Sequence, residues 1–370
     1  MVDSVAPKLG FSIFASDGPL DTAYINAMAA AGFTGVFTSI HIPEDNPAKY
    51  REFLRELGEA TRALGLELTV DISGDALQRA GFSWADLSSL AKLGISRLRA
   101  DYHISNAQIA NASHTFGMCL NASTITSKDV CELRDAGADF SNLVAWHNYY
   151  PRPETGVSGK DLLAKDRFLK ENGFTVVAFT PGDAKLRAPL FQGLPTLERH
   201  RHKNPLAGAL DLISNGGVDE VYVGDGGLAP RSLGQFATFL KDGFISLHAK
   251  KYSSQFDYVA SHQHVNREDG ARDVIRSAEA RFWNIPDITP LRTMRRKRGS
   301  VTIDNSKYGR YQGDIQIAKR DLPPDNRVNV VGRIIKYDRA LLPHITGGVP
   351  YTISDTRTSL ATDGAASGIG

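Results

Sequence analysis

Asn142 to Pro181 reads "NLVAWHNYYPRPETGVSGKDLLAKDRFLKENGFTVVAFTP". An apolar run of strand length, "NLVAWHN", breaks into a polar loop. An amphipathic stretch, "KDLLAKDRFLKENG", then carries apolar residues three and four apart and ends in glycine, before a second apolar run, "TVVAFTP". Strand, helix and strand in that order, with the strands apolar on both faces, form the repeating unit of a parallel sheet.

The unit recurs on either side. Strand candidates are "KLGFSIF", "GVFTSIH", "LELTVDI", "SRLRADY", "FGMCLNA", the two above, and "DEVYVGD". Helical stretches such as "PLDTAYINAMAAAG", "NPAKYREFLRELGEATRALG" and "TSKDVCELRDAGA" lie between them, most ending in glycine. Eight such units before residue 242 predict an α/β fold, a (β/α)8 TIM barrel over 1–242, whose active site belongs at the C-terminal ends of the strands. Residues 243–261 lose the alternation and read as a connector. From 262 to 355 short β-type runs ("GSVTIDN", "YGRYQGDIQIA", "NRVNVVGRII", "LPHITGGVPYTI") predict a small β-rich domain. The small, polar stretch 356–370 predicts a disordered tail.

Composition is that of a soluble globular chain: 370 residues, 42% hydrophobic, 23% charged, net charge +2. Nothing in that balance calls for a polyanion, and the basic cluster "RTMRRKR" (Arg292–Arg298) lacks interleaved aromatics, so no nucleic-acid partner is expected. The start, "MVDSVAPKLGFSIFASDG", has no secretory pattern, and no run approaches the roughly 20 apolar residues of a membrane span. A cytoplasmic protein without a membrane partner is expected. Cys119 and Cys131 are too few for a disulfide framework or a thiolate metal site, and Cys119 reads as a buried, inert thiol.

The strand ends are densely polar. They carry Ser12, Ser16 and Asp17; His41, Glu44 and Asp45; Asp71 and Ser73; Arg99, Asp101 and His103; Asn121 and Ser123; the sixth loop; "TPGDAKLR"; and Asp225. Some of these serve as helix N-caps, with Asp21, Asp45 or Asn46, and Thr126 as candidates. The remainder is too dense for capping alone and marks a site.

Longer motifs carry a family resemblance. "FSIFASDG", "GFTGVFTSIHIPED", "VDIS", "LNASTIT", "WHNYYPRPETG", "FTPGD", "LRAPLFQGLPTLERHR", "NSKYGRYQGDIQI" and "NRVNVVGRI" follow one another between Leu9 and Ile353. Together they resemble the bacterial MupG-type 6-phospho-N-acetylmuramidases. The resemblance implies a TIM barrel followed by a cyclophilin-like β domain. It also implies cytoplasmic cleavage of 6-phosphorylated N-acetylmuramyl-N-acetylglucosamine from recycled peptidoglycan, releasing MurNAc-6-phosphate and GlcNAc.

A glycosidase needs a proton donor and a means of stabilising an oxocarbenium-like transition state, usually two carboxyl groups. Glu154, among aromatics and prolines where partial burial would keep it protonated, is the expected acid. Its competing roles are pairing with Arg152 or capping a helix. Asp101 is the expected second carboxylate, with Arg99 beside it as either an electrostatic helper or a structural ion-pair partner. Asp17, His41, Glu44, Asp71, Asn121, His147, Asn148, Tyr149 and Asp225 are expected to contact the sugar, whereas Trp146 reads as core. A 2-acetamido sugar could also use its own carbonyl as nucleophile, so retaining, inverting and substrate-assisted routes stay open.

Phosphate and lactyl carboxylate require cations, for which Arg187 and Arg201 in the barrel and Arg310 and Arg327 in the second domain are candidates. No metal and no cofactor are expected, since His41 and His147 lack acidic partners at ligand spacing. The alternatives are hydrolysis of another phosphorylated glycoside, phosphosugar binding without turnover, and an aldolase or isomerase. No strand end offers the lysine that a Schiff-base aldolase would want. A homo-oligomer is left open.

Overall fold

The computed structural model describes residues 7–39, 47–72, 82, 87–100, 104–283 and 287–356. The chain divides into two compact units, Met1–Leu233 and Gly234–Gly370. Among the described residues no helix is long and apolar enough to cross a membrane.

In the first unit eight parallel strands close a barrel in sequence order. They are β1 (Lys8–Ser12), β2 (Gly35–Ser39), β3 (Glu67–Ile72), β4 (Ile95–Ala100), β5 (Gly117–Asn121), β6 (Leu143–Trp146), β7 (Thr175–Thr180) and β8 (Glu220–Val223). The barrel closes where β1 pairs with β8, Lys8 opposite Glu220 and Phe11 opposite Val223. The helices are α1 (Thr22–Ala31), α2 (Pro47–Ala63), α3 (Ser88–Lys92), α4 (Asn106–Ser113), α5 (Ser127–Asp135), α6 (Gly159–Glu171), α7 (Pro205–Asp211) and α8 (Pro230–Asp242). Local chemistry sets their starts. Asp21 accepts from the Tyr24 N–H ahead of α1, and Thr126 and Asp129 form a capping box ahead of α5, as expected for Asp21 and Thr126.

Alternation along the strands fills the barrel in layers. At the N-terminal end Arg97 pairs with Glu220 at 2.8 Å and Glu67 at 3.2 Å. Above it lie Phe37, Trp146, Phe179 and Tyr222, with the Trp146 and Tyr222 ring centroids 4.7 Å apart. Trp146 is fully buried there, a core residue as expected, and Cys119 lies in the same apolar cluster. Tyr222 fits only because β1 and β2 present glycine to it: a Cβ on Gly10 would lie 2.1 Å from its ring, and one on Gly35 2.2 Å from its hydroxyl.

The second unit is a seven-stranded sheet of order β10-β15-β9-β14-β12-β13-β11. Its strands are β9 (Ile245–Lys251), β10 (Gln263–Val265), β11 (Val274–Arg276), β12 (Ser300–Asp304), β13 (Ile315–Ala318), β14 (Val328–Ile334) and β15 (Pro350–Asp355), with helix α9 (Gln255–Ala260) after β9. All neighbours are antiparallel except β9 and β15. The stretch expected to be a connector therefore belongs to this sheet: β9 lies between β14 and β15. It escapes a strand reading because His248 interrupts the apolar pattern, but that side chain is buried with Nδ1 2.7 Å from Asp338. The tail expected from 356 lies outside the described residues beyond Thr356.

Candidate active site

Arg99 stands two residues beyond Arg97 on β4, so it faces the same barrel interior one layer nearer the C-terminal mouth. Its Nη1 donates to Asp71 Oδ1 of β3 at 3.1 Å, and its Nη2 donates to Asn148 Oδ1 just past β6. Ser39 at the end of β2 donates to the other Asp71 oxygen at 3.3 Å. Asp71 and Arg99 are 4% and 5% exposed, so an ion pair and a carboxamide form a polar lid on the aromatic layer. Arg99 Nε has no partner among the described residues.

A second cluster lies beside it. The Tyr149 ring packs on Phe37 and Phe179, and its hydroxyl accepts from Arg187 Nη1. Arg187 also lies 3.8 Å over the Phe14 ring, a stacked cation held rigid on an apolar face. Asp17, at the loop after β1, is open to solvent on one side yet close enough to protein that desolvation raises its carboxyl above the usual range, with Arg187 pulling the other way. Gly226 packs beside it: a Cβ there would lie 2.4 Å from Asp17 Oδ2 and push that carboxyl aside. The cluster thus offers two guanidinium groups, one carboxyl shifted toward its protonated form, one charge-paired carboxylate and a carboxamide.

Several expected contacts have other work. Asp225 is fully buried and accepts peptide N–H groups from Gly182 and Leu194 at 2.9 Å and Arg187 at 3.2 Å. Both of its carboxylate oxygens are thus engaged by the loop that presents Arg187. His147 follows inward-facing Trp146 and so points outward, where its Nε2 lies 2.6 Å from Asp166 Oδ1 on α6; it does not face the mouth. Arg201 is 5% exposed and donates to the carbonyls of Tyr150 at 2.8 Å, Gly193 at 3.1 Å and Arg152 at 3.1 Å. It also bonds Glu198, whose carboxyl it holds down at about 2. Arg201 rivets the loops after β6 and β7 together and is not free for phosphate.

Glu154 is exposed on the β6 loop, in a left-handed backbone conformation at φ 72°, with its peptide N–H bonded to Glu198. The burial expected to keep it protonated is absent. Asn121 sits at the rim of β5 and accepts from the Ser123 N–H at 3.0 Å. In the second unit Arg310 donates to Tyr311 at 2.9 Å, and Arg327 makes a two-pronged pair with Asp325 at 2.9 Å on each prong. His41, Glu44 and Asp101 lie outside the described residues.

Sequence reasoning missed Ser39 and Phe14. Ser39 was legible from the two-residue period that carries Phe37 inward. Phe14 carried no polar signal, since its part is to support a guanidinium.

Residues 9–238 match the N-terminal 6-phospho-N-acetylmuramidase family, and residues 245–354 match the corresponding C-terminal family. A crystal structure of a conserved protein of unknown function from Enterococcus faecalis is 43% identical, with a TM-score of 0.90 over 97% of this chain and 99% of that one. An uncharacterized B. cereus protein shares the fold at 24% identity, with a TM-score of 0.74 over 95% of this chain and 100% of that chain. No curated protein matches. With both of its folded units matched along nearly their whole length, the chain belongs to the 6-phospho-N-acetylmuramidases, a family of glycosidases.

Proposed function

We propose that the protein hydrolyses the bond between 6-phosphorylated N-acetylmuramic acid and N-acetylglucosamine, releasing MurNAc-6-phosphate and GlcNAc during cytoplasmic recycling of peptidoglycan. The observation that carries this reading is the pairing of two fixed guanidinium groups, Arg99 and Arg187, with carboxyls of different character at the C-terminal mouth of a barrel. A substrate bearing a phosphate and a lactyl carboxylate needs such cations, and glycoside cleavage needs carboxyls in unlike environments.

In this mechanism Asp17 protonates the leaving oxygen, because desolvation moves it toward the acid form. Asp71, held by Arg99 and Ser39, stabilises positive charge developing at the anomeric carbon or orients the 2-acetamido carbonyl that attacks it. Glu154 and Asp101 are the competing assignments.

Incubation with phosphorylated and unphosphorylated MurNAc-GlcNAc, followed by product analysis, is the test. Cleavage of the phosphorylated form alone supports the proposal. Equal cleavage of both defeats the phosphate requirement, and cleavage of neither by folded protein defeats the substrate. Loss of turnover in Glu154→Gln with near-normal turnover in Asp17→Asn would transfer the acid role back to Glu154.

A further inference from the structure

A groove of about 570 Å³ opens between the loop after β1 and the first turns of α2. Its walls include the half-buried Phe53 and Leu20, the buried Tyr50, and the polar groups of Ser16, Glu52 and Glu56. A narrower pocket lined by Asp17 and Lys185 shares Gly18, Pro19, Leu20 and Phe53 with it, so the two cavities adjoin.

Among the described residues the groove is lined by carboxylates without a guanidinium, whereas the barrel mouth sets two guanidinium groups beside its carboxyls. Glu52 and Glu56 line it, Glu56 with Arg55 3.9 Å away at the surface, and Lys185 of the narrower pocket is already paired with Asp21 at 2.8 Å. An anionic sugar is disfavoured there, whereas Arg187, close enough to Asp17 to pull its carboxyl down, attracts one at the barrel mouth. A proton donor to a glycosidic oxygen must stand between the two sugars that the oxygen joins. Aromatic and aliphatic walls with carboxylate acceptors at the rim suit the apolar face and hydroxyls of an uncharged pyranose.

We infer that this groove is the leaving-group subsite: it takes the neutral N-acetylhexosamine released by cleavage, with Phe53 and Leu20 against the sugar face and Glu52 and Glu56 accepting from its hydroxyls. The assignment rests on the proposed hydrolysis and gives the substrate its direction across the barrel mouth. The anionic sugar lies toward Arg99 and Arg187, and the neutral one lies toward α2.

Two measurements on the full chain test it. The first is the ratio of kcat/KM for the phosphorylated disaccharide to that for the 4-nitrophenyl glycoside of MurNAc-6-phosphate, whose small leaving group does not fill the groove. Phe53→Ala is expected to lower this ratio by about tenfold, the scale of losing most of a buried phenyl contact. Leu20→Trp, which fills the groove without opening a cavity, is expected to lower it as well. The second is binding of free GlcNAc, read by saturation-transfer NMR, which both variants should weaken in protein that circular dichroism shows to be folded. An unchanged ratio overturns the inference, as does GlcNAc binding equal to wild type in both variants. If no disaccharide is cleaved but GlcNAc binds and both variants weaken it, the hydrolysis proposal falls while the groove stands as a neutral-sugar site.

Discussion

At the scale of single residues, the site depends on one arginine held on three sides. Arg187 lies over Phe14, donates to Tyr149, and is anchored through its own peptide N–H by Asp225. Lysine would keep the charge but lose the planar stack and fork. Arg187→Lys is therefore expected to lower kcat/KM for the phosphorylated disaccharide by about a hundredfold, on the order of 3 kcal/mol. A change of less than threefold would show that the guanidinium does not touch substrate. Asp17 makes a second case. Burial raises its carboxyl, and in the proposed mechanism the protonated form is the active one, so the rate is expected to fall as pH rises through that group. Asp17→Asn should lower kcat by about 10² to 10⁴ and remove the alkaline limb of the profile. Retention of that limb would exclude Asp17 as its source. Asp17, Asn148, Tyr149 and Arg187 were all legible as polar or aromatic groups at strand ends. Asp225, His147 and Arg201 looked equivalent in sequence, and the peptide groups and the buried Asp166 carboxylate that engage them were not legible there.

At the scale of elements, the strands were legible because burial on both faces leaves an apolar signature that a helix between them interrupts. What fills the barrel was not, because that depends on which layers meet. Gly10 and Gly35 illustrate this: both make room for Tyr222 of β8, but against different atoms. A methyl at either position overpacks the barrel at a cost of about 1–3 kcal/mol. The Gly35 contact is closest to the hydroxyl at 2.2 Å, with Cζ at 2.9 Å, whereas the Gly10 contact is with ring carbons at 2.1 and 2.3 Å. Tyr222→Phe should therefore recover more of the stability lost in Gly35→Ala than of that lost in Gly10→Ala, as measured by urea denaturation of the three single variants and the two doubles. Equal recovery would mean that the backbone shifts and not the hydroxyl contact decides the cost. The loop rivet is a further element-level device. Arg201→Met removes the side-chain donor of the Tyr150 and Gly193 carbonyls and the partner of Glu198, and is expected to cost on the order of 3 kcal/mol.

At the scale of the whole molecule, the change in sequence texture separated two units, but it could not show that the second carries its own titrating group. Asp304 ends β12 and is 3% exposed; burial first, then Asp314 and Asp325, push its carboxyl up to about 7, against Arg296 and Arg327. A carboxyl that holds its proton more tightly when folded than when unfolded contributes stability that is complete below the unfolded value near 4. That contribution is lost as pH rises through about 7. The second unit should therefore weaken between pH 4 and pH 7 relative to an Asp304→Asn variant, whose neutral amide imitates the protonated acid at every pH. Hydrogen exchange of peptides spanning β12 to β14 reads this locally, which keeps the raised carboxyls Asp17 and Asp225 of the barrel out of the comparison. The variant should be the better protected form at pH 8, and the difference should shrink on acidification. Parallel pH profiles for the two proteins would mean that solvent or a neighbouring donor relieves Asp304 in the folded state, and that any weakening of this unit as pH rises has another origin.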